Sequence, residues 1–238
     1  MNIELIPAID IIGGKCVRLT KGDYATKTVY SDSPADVAET FERMGIRRLH
    51  VVDLDGARSK HVVNLDTLKE ITRRTRLTVD FGGGIKSDAD IEKAFACGAA
   101  MVTAGSVAVT RRELTEKWLD RFGADRIILG ADVRNGKISI NGWQEDTEED
   151  IVSFLQYYIS RGVRNILCTD ISKDGTMQGP TFTLYEKILN TFPGINLIAS
   201  GGISGMDDIK QLERIGVPSV VVGKAIYEGK IFCQQTSR

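Results

Sequence analysis

The chain has 238 residues, of which 42% are apolar and 24 are glycine, enough for one large α/β domain and too long for a small stapled module. Basic and acidic residues nearly balance, 31 against 32, for a formal net charge of -1. The basic excess expected of a nucleic-acid binder is therefore missing.

The N-terminal Met1-Asn2-Ile3-Glu4-Leu5-Ile6-Pro7 has no basic segment followed by a long apolar run, so no signal peptide is expected. No stretch reaches the apolar length of a membrane span. Apolar runs then recur at Ile3–Ile9, Arg48–Val52, Leu77–Phe81, Met101–Ala104, Arg126–Ala131, Arg164–Thr169, Asn196–Ala199 and Ser219–Val222. They are nearly continuous rather than alternating, the pattern of strands buried on both faces. Between them, Pro34–Met44, Asn64–Thr72, Asp88–Cys97 and Asp207–Ile215 carry apolar residues at helical spacing. Ser33 before Pro34, and Ser87 before Asp88 and Asp90, are helix-start signals. Gly45, Gly98, Gly162 and Gly216 follow helical runs as C-terminal caps. Eight buried strands alternating with helices predict a parallel sheet, and at this length a closed (β/α)8 TIM barrel. A single domain over residues 1–238 is expected, with a frayed tail at Gln234–Arg238. Cys16, Cys97, Cys168 and Cys233 are widely spaced, and His50 and His61 are the only histidines. No metal site and no disulfide framework is expected, and the chain is expected to be cytoplasmic.

The chain repeats itself at half its length. Asp10-Ile11-Ile12-Gly13-Gly14-Lys15 matches Asp132-Val133-Arg134-Asn135-Gly136-Lys137. Phe81-Gly82-Gly83-Gly84-Ile85 matches Ser200-Gly201-Gly202-Ile203, and Gly98 and Gly105 match Gly216 and Gly223 at an offset of 118 residues. Val52-Asp53-Leu54-Asp55-Gly56 matches Thr169 to Gly175 more loosely. This predicts two four-strand half-barrels, approximately 1–122 and 123–238. It places strands 3 and 4 opposite strands 7 and 8.

A phosphate needs several convergent N–H donors, which a glycine loop leading into a helix supplies. Gly83 and Gly84 with Gly105 and Ser106 form one such set; Gly201 and Gly202 with Gly223 and Lys224 form the other. Loops after strands 7 and 8 hold phosphate in many barrels of this kind. Each glycine pair alone is also what a bare βα turn requires. Together the two sets predict a small bisphosphate ligand spanning the barrel mouth.

Asp10 and Asp132 end strands 1 and 5, which face each other. Paired carboxylates there divide general-acid and general-base work; either one alone also serves as a turn-capping residue. With no histidine or cysteine cluster competing, proton-transfer chemistry is expected: isomerisation, enolisation or elimination, without cofactor. Thr169 and Asp170, ending strand 6, are placed to orient a ligand hydroxyl. Trp143 lies in the loop after strand 5, where it either stacks on a ligand or simply packs.

Six segments together resemble the phosphoribosylformimino-aminoimidazole carboxamide ribotide isomerases of histidine biosynthesis. They are Pro7-Ala8-Ile9-Asp10, Lys15-Cys16-Val17-Arg18-Leu19, Gly22-Asp23-Tyr24, Val52-Asp53-Leu54-Asp55-Gly56-Ala57, Asn141-Gly142-Trp143-Gln144-Glu145 and Thr169-Asp170-Ile171-Ser172-Lys173-Asp174-Gly175-Thr176-Met177-Gln178-Gly179-Pro180. The resemblance covers essentially the whole chain. It implies an Amadori rearrangement of a bisphosphate aminoaldose to an aminoketose. By that likeness Asp132 is the general acid, Asp10 the general base, and Thr169 a support for Asp132 or for the substrate hydroxyls. Arg18, Trp143, Asp170, Gly175 and Gly179 join the glycine loops in substrate binding. A monomer with no nucleic-acid or membrane partner is expected. Three positions depart from the family pattern: Asp80 where glutamine is expected, Lys86 where an arginine is frequent, and Gly13 where an aspartate is expected. The rivals are the sister cyclase of the same pathway, a dual-substrate isomerase that also serves tryptophan synthesis, and a non-catalytic sugar-phosphate binder. The cyclase would carry a cysteine before the first aspartate, where this chain has Ala8-Ile9.

Overall fold

The computed structural model describes residues 2–231; Cys233 and the tail expected at Gln234–Arg238 lie outside them. Eight parallel strands form the barrel: β1 (Glu4–Ile12), β2 (Arg48–Asp53), β3 (Thr78–Gly82), β4 (Met101–Ala104), β5 (Ile127–Arg134), β6 (Asn165–Asp170), β7 (Asn196–Ser200) and β8 (Ser219–Val222). Each pairs with the next, and β8 pairs with β1, so the ring closes. These are the eight apolar runs of the sequence. Helices cover the outside, including Pro34–Arg43, Leu65–Arg74, Asp88–Ala96 and Met206–Arg214. Among the described residues no helix is long and apolar enough to cross a membrane.

The continuous apolar strands have a simple cause. Leu49, Val51, Val79, Phe81, Val102, Leu129 and Ala131 pack outward into the cluster shared with the helices. Alternate residues Ile6, Ala8, Ile128, Leu167, Ile198 and Val221 form a separate cluster inside the ring. Both faces of each strand are buried, so the period of two is hidden in hydropathy. On β2 and β3 the inward row is instead Arg48, His50 and Asp80, the last two buried.

The expected helix signals operate. The Ser33 hydroxyl accepts from Asp36 N, with Pro34 in the first turn, and the Ser87 hydroxyl accepts from Asp90 N. Gly45, Gly98, Gly162 and Gly216 take φ of 86, 94, 95 and 86° at helix ends, a left-handed geometry that glycine adopts without a Cβ clash.

Four further strands were not expected from the sequence. Lys15–Thr20 and Asp23–Ser31 follow β1, and Lys137–Ile140 and Glu145–Asp150 follow β5. β1 turns back through Gly13-Gly14 (φ 58 and 74°), and β5 through Asn135-Gly136 (φ 51 and 80°). Two successive left-handed residues make the type I′ turn that suits a twisted hairpin. The strands therefore run on past Asp10 and Asp132, which pair along the sheet rather than ending it.

Candidate active site

A cavity opens at the C-terminal end of the barrel strands. It is lined by Asp10, Arg18, Gly83, Gly84, Gly105, Ser106, Asp132, Trp143, Thr169, Gly175, Gly201, Gly202, Gly223 and Lys224. Two expected residues do not line it. The Asp170 carboxylate accepts from Ser172 N at 3.0 Å and from the Ser172 and Thr181 hydroxyls, so it is spent on tying its own loop. Gly179 lies behind the glycine loop, donating its N–H to Gly202 O at 2.9 Å.

The two glycine sets are built alike. Gly83 and Gly84 follow β3 with φ of 93 and 80°; Gly201 and Gly202 follow β7 with φ of 96 and 82°. Each first glycine presses on the preceding βα loop. A Cβ at Gly83 would lie 2.2 Å from Asp53 O, and one at Gly201 would lie 2.7 Å from Asp170 O. Lys86 N donates to Asp90 (3.2 Å), and Ser204 N donates to Asp208 (2.8 Å), again at the repeat offset. Gly105 and Gly223 share an unusual backbone, φ -90, ψ -110° and φ -104, ψ -108°. β3 and β4 stand across the ring from β7 and β8, so the sets face each other over the mouth. Lys86 lines the first end and Lys224 the second. Burial, then neighbouring Lys60, pulls the Lys86 pKa down.

Arg18 comes from the hairpin after β1. Its guanidinium lies against Gly223, where a Cβ would sit 2.0 Å from Nη2. Nη1 is 2.8 Å from the Asp10 carboxylate, and both side chains are largely buried. Its Nε has no partner among the described residues. Arg18 thus links the second glycine set to Asp10.

Asp132 stands across the ring on β5. Burial raises its pKa, while the Trp143 and Thr169 side chains and the His50 charge pull it back. A carboxyl so placed holds a proton more readily than an ordinary aspartate. Trp143 also covers the mouth: a Cβ at Gly22 would lie 2.7 Å from its ring, so the two hairpin tips touch above the cavity.

Sequence reasoning missed three groups. Asp174 lines the cavity, and burial pushes its pKa up to about 6; Arg18 opposes this, and Asp10 and Asp132 add to it. It sits inside a motif whose Asp-Gly pair reads as a turn, so nothing local marks it. His50 and Tyr24 also line the cavity. His50 lies in mid-strand, and only strand alternation from Arg48 could have pointed it inward. Asp53 and Asp55 serve the loops. The buried Asp53 accepts from Gly56 N, Val63 N and Asn64 N at 2.7–2.9 Å, and Asp55 accepts from Gly13 N at 2.6 Å. Gly13 is thereby the exposed first residue of a turn. Burial pushes the Cys16 thiol up to about 11, a poor nucleophile near neutral pH.

The family model described as "Histidine biosynthesis protein" matches residues 4–232. A protein of Phocaeicola vulgatus is 57% identical over 236 residues, covering 99% of each chain. One of Flavobacterium johnsoniae is 52% identical, covering 98% of this chain and 97% of its own. One of Cytophaga hutchinsonii is 50% identical, covering 99% and 98%. All three are named 1-(5-phosphoribosyl)-5-((5-phosphoribosylamino)methylideneamino) imidazole-4-carboxamide isomerase. With the barrel, the paired glycine sets and the carboxylates between them in place, the chain belongs to the histidine-biosynthesis protein family.

Proposed function

We propose that the protein is an intramolecular isomerase that converts the bisphosphate aminoaldose named in its relatives to the corresponding aminoketose. The observation that carries this is a single cavity holding two matched glycine sets at opposite ends and three carboxylates between them. A ligand with a phosphate at each end, seated on both sets, holds its reacting sugar over the barrel centre. Positioning of that kind removes much of the entropic part of a barrier.

The chemistry then needs only protons. A general acid protonates the ring oxygen, and the ring opens to a protonated Schiff base. Asp10 takes the proton from C2, and the bonding pair moves to C1–C2 as the imine nitrogen accepts electrons. The resulting enolamine tautomerises to the ketose, C1 gaining a proton and the C2 hydroxyl losing one. Asp10 suits the base role because it lines the cavity and Arg18 Nη1, 2.8 Å away, holds its carboxylate in place. Asp132 suits the acid role because burial favours its protonated form, with Thr169 and Trp143 orienting it. Trp143 and the Gly22 hairpin close the mouth, which keeps water from the Schiff base.

Asp174 supports a second assignment of the acid. Its pKa of about 6 leaves roughly a tenth of it protonated near pH 7. Turnover of the aminoaldose by Asp132→Asn and Asp174→Asn separates the two. If Asp132 is the acid, its variant loses at least about a thousandfold in kcat, and Asp174→Asn loses about tenfold or less. The reverse order moves the acid role to Asp174. No product from the unaltered protein removes the proposal. Supplying the tryptophan-pathway aminoaldose tests dual specificity.

A further inference from the structure

The buried charges under the cavity floor are not used by the steps above. The parallel register of β2 and β3 sets His50 directly beside Asp80. The His50 Nδ1 is hydrogen-bonded to one Asp80 oxygen. Arg48 Nε donates to the other at 3.3 Å. Asp80 is 1% exposed and His50 8%. His50 nevertheless lines the same cavity as Asp10 and Asp132. With Nδ1 taken by Asp80, Nε2 is the ring nitrogen left to serve the cavity.

The charges around His50 can be counted element by element. Asp80 faces it from β3, Asp10 from β1 and Asp132 from β5; Arg48 faces it from its own strand. Arg48 is itself shared with Glu4 of β1, 3.7 Å away. Asp80 and Asp10 thus act on the ring against Arg48, and Asp10 is itself paired with Arg18 Nη1 at 2.8 Å. Burial alone would strip the imidazole of its second proton. Asp80, by charge and hydrogen bond, and then Asp10 outweigh burial, and the net shift of His50 is upward. A glutamine in place of Asp80 would offer the ring a hydrogen bond without a charge.

We propose that Asp80 is a positioning residue that holds His50 as an imidazolium in the cavity floor, presenting Nε2–H to a sugar oxygen of the bound substrate. A neutral ring with Nδ1–H turned to Asp80 would offer a lone pair at Nε2. The imidazolium can only donate. That difference matters in an aldose–ketose rearrangement, where the C2 hydroxyl loses its proton and becomes a carbonyl. A fixed donor at that oxygen favours the form without the proton. His50 gives up no proton in this role, so no step above changes its balance. The catalytic part rests on the isomerase assignment; the charge state does not.

Two histidines make the test clean. In 15N-labelled protein the exposed His61 is assigned by His61→Gln, leaving one imidazole to follow against pH. The His50 midpoint is expected above the ordinary value of about 6.5. Asp80→Asn should lower its midpoint by at least about one pH unit, and Asp80→Glu should keep it. With substrate at about pH 8, kcat of Asp80→Asn should fall about tenfold with KM changed less than about threefold. The deficit should shrink as the pH is lowered towards about 6, where an ordinary imidazole recovers its proton. A His50 midpoint at or below about 6.5 in the unaltered protein overturns the proposal. So does an unchanged midpoint in Asp80→Asn, or a kcat deficit that is the same at every pH. If Asp80→Asn fails to fold, the unaltered protein and Asp80→Glu decide, and a midpoint at or below about 6.5 in both refutes it. If the unaltered protein makes no product, the isomerase assignment falls while the titration still reads the charge.

Discussion

At Gly83 the backbone needs glycine twice over: φ is 93°, and a Cβ would meet Asp53 O at 2.2 Å. The glycine pairs are thus required by the turn whatever binds there, and only their duplication across the mouth speaks for phosphate. A left-handed, non-glycine residue costs about 1–3 kcal/mol before any clash is counted. Gly83→Ala should lower unfolding free energy in urea by at least about 2 kcal/mol. Asp174 shows the opposite sign. Its folded pKa of about 6 lies above the ordinary carboxylate value of 3.8, so protonated Asp174 is favoured by folding. That contribution is fully present below about pH 4 and is lost as pH rises through about 6. At about pH 7, Asp174→Asn should therefore raise stability by about 1–3 kcal/mol while lowering kcat. Equal stability of the variant and the parent at both about pH 4 and about pH 7 would contradict this. Asp10, Asp132 and the glycines were legible in the sequence because they recur in both halves. Asp174 and His50 were not, because a carboxyl in a turn and a histidine in a strand look the same whether they face a cavity or solvent.

The strands were legible because burial on both faces leaves an unbroken apolar run. The two hairpins were not, although Gly13-Gly14 and Asn135-Gly136 are the dipeptides that two-residue turns select. The flanking strand Asp23–Ser31 is mostly exposed and polar, and Glu145–Asp150 is acidic at every position but Thr147. Neither carries the hydropathy that marks a barrel strand. These hairpins shape the mouth: one carries Arg18 to Gly223, the other carries Trp143 over Gly22. Gly22→Ala should push the Trp143 ring aside. It is expected to lower kcat/KM about tenfold with Tm reduced by less than about 4 °C. Unchanged kcat/KM would show that the contact between the tips does not matter in turnover.

Across the whole molecule, the ring order alone brings the parts together. β1 faces β5, which sets Asp10 against Asp132; β3 and β4 face β7 and β8, which sets one glycine end against the other. Residues more than a hundred positions apart thereby line one cavity. The long apolar outer cluster holds this frame, and the smaller cluster inside the ring fills its lower part. The central claim is that this mouth binds a doubly phosphorylated aminoaldose and that Asp10 removes its C2 proton. Its most direct test is Asp10→Asn, assayed for product and for substrate affinity by calorimetry. At least about a thousandfold loss of kcat is expected, with Kd within about threefold of the parent, because both phosphate ends remain. Turnover within about tenfold of the parent would contradict it.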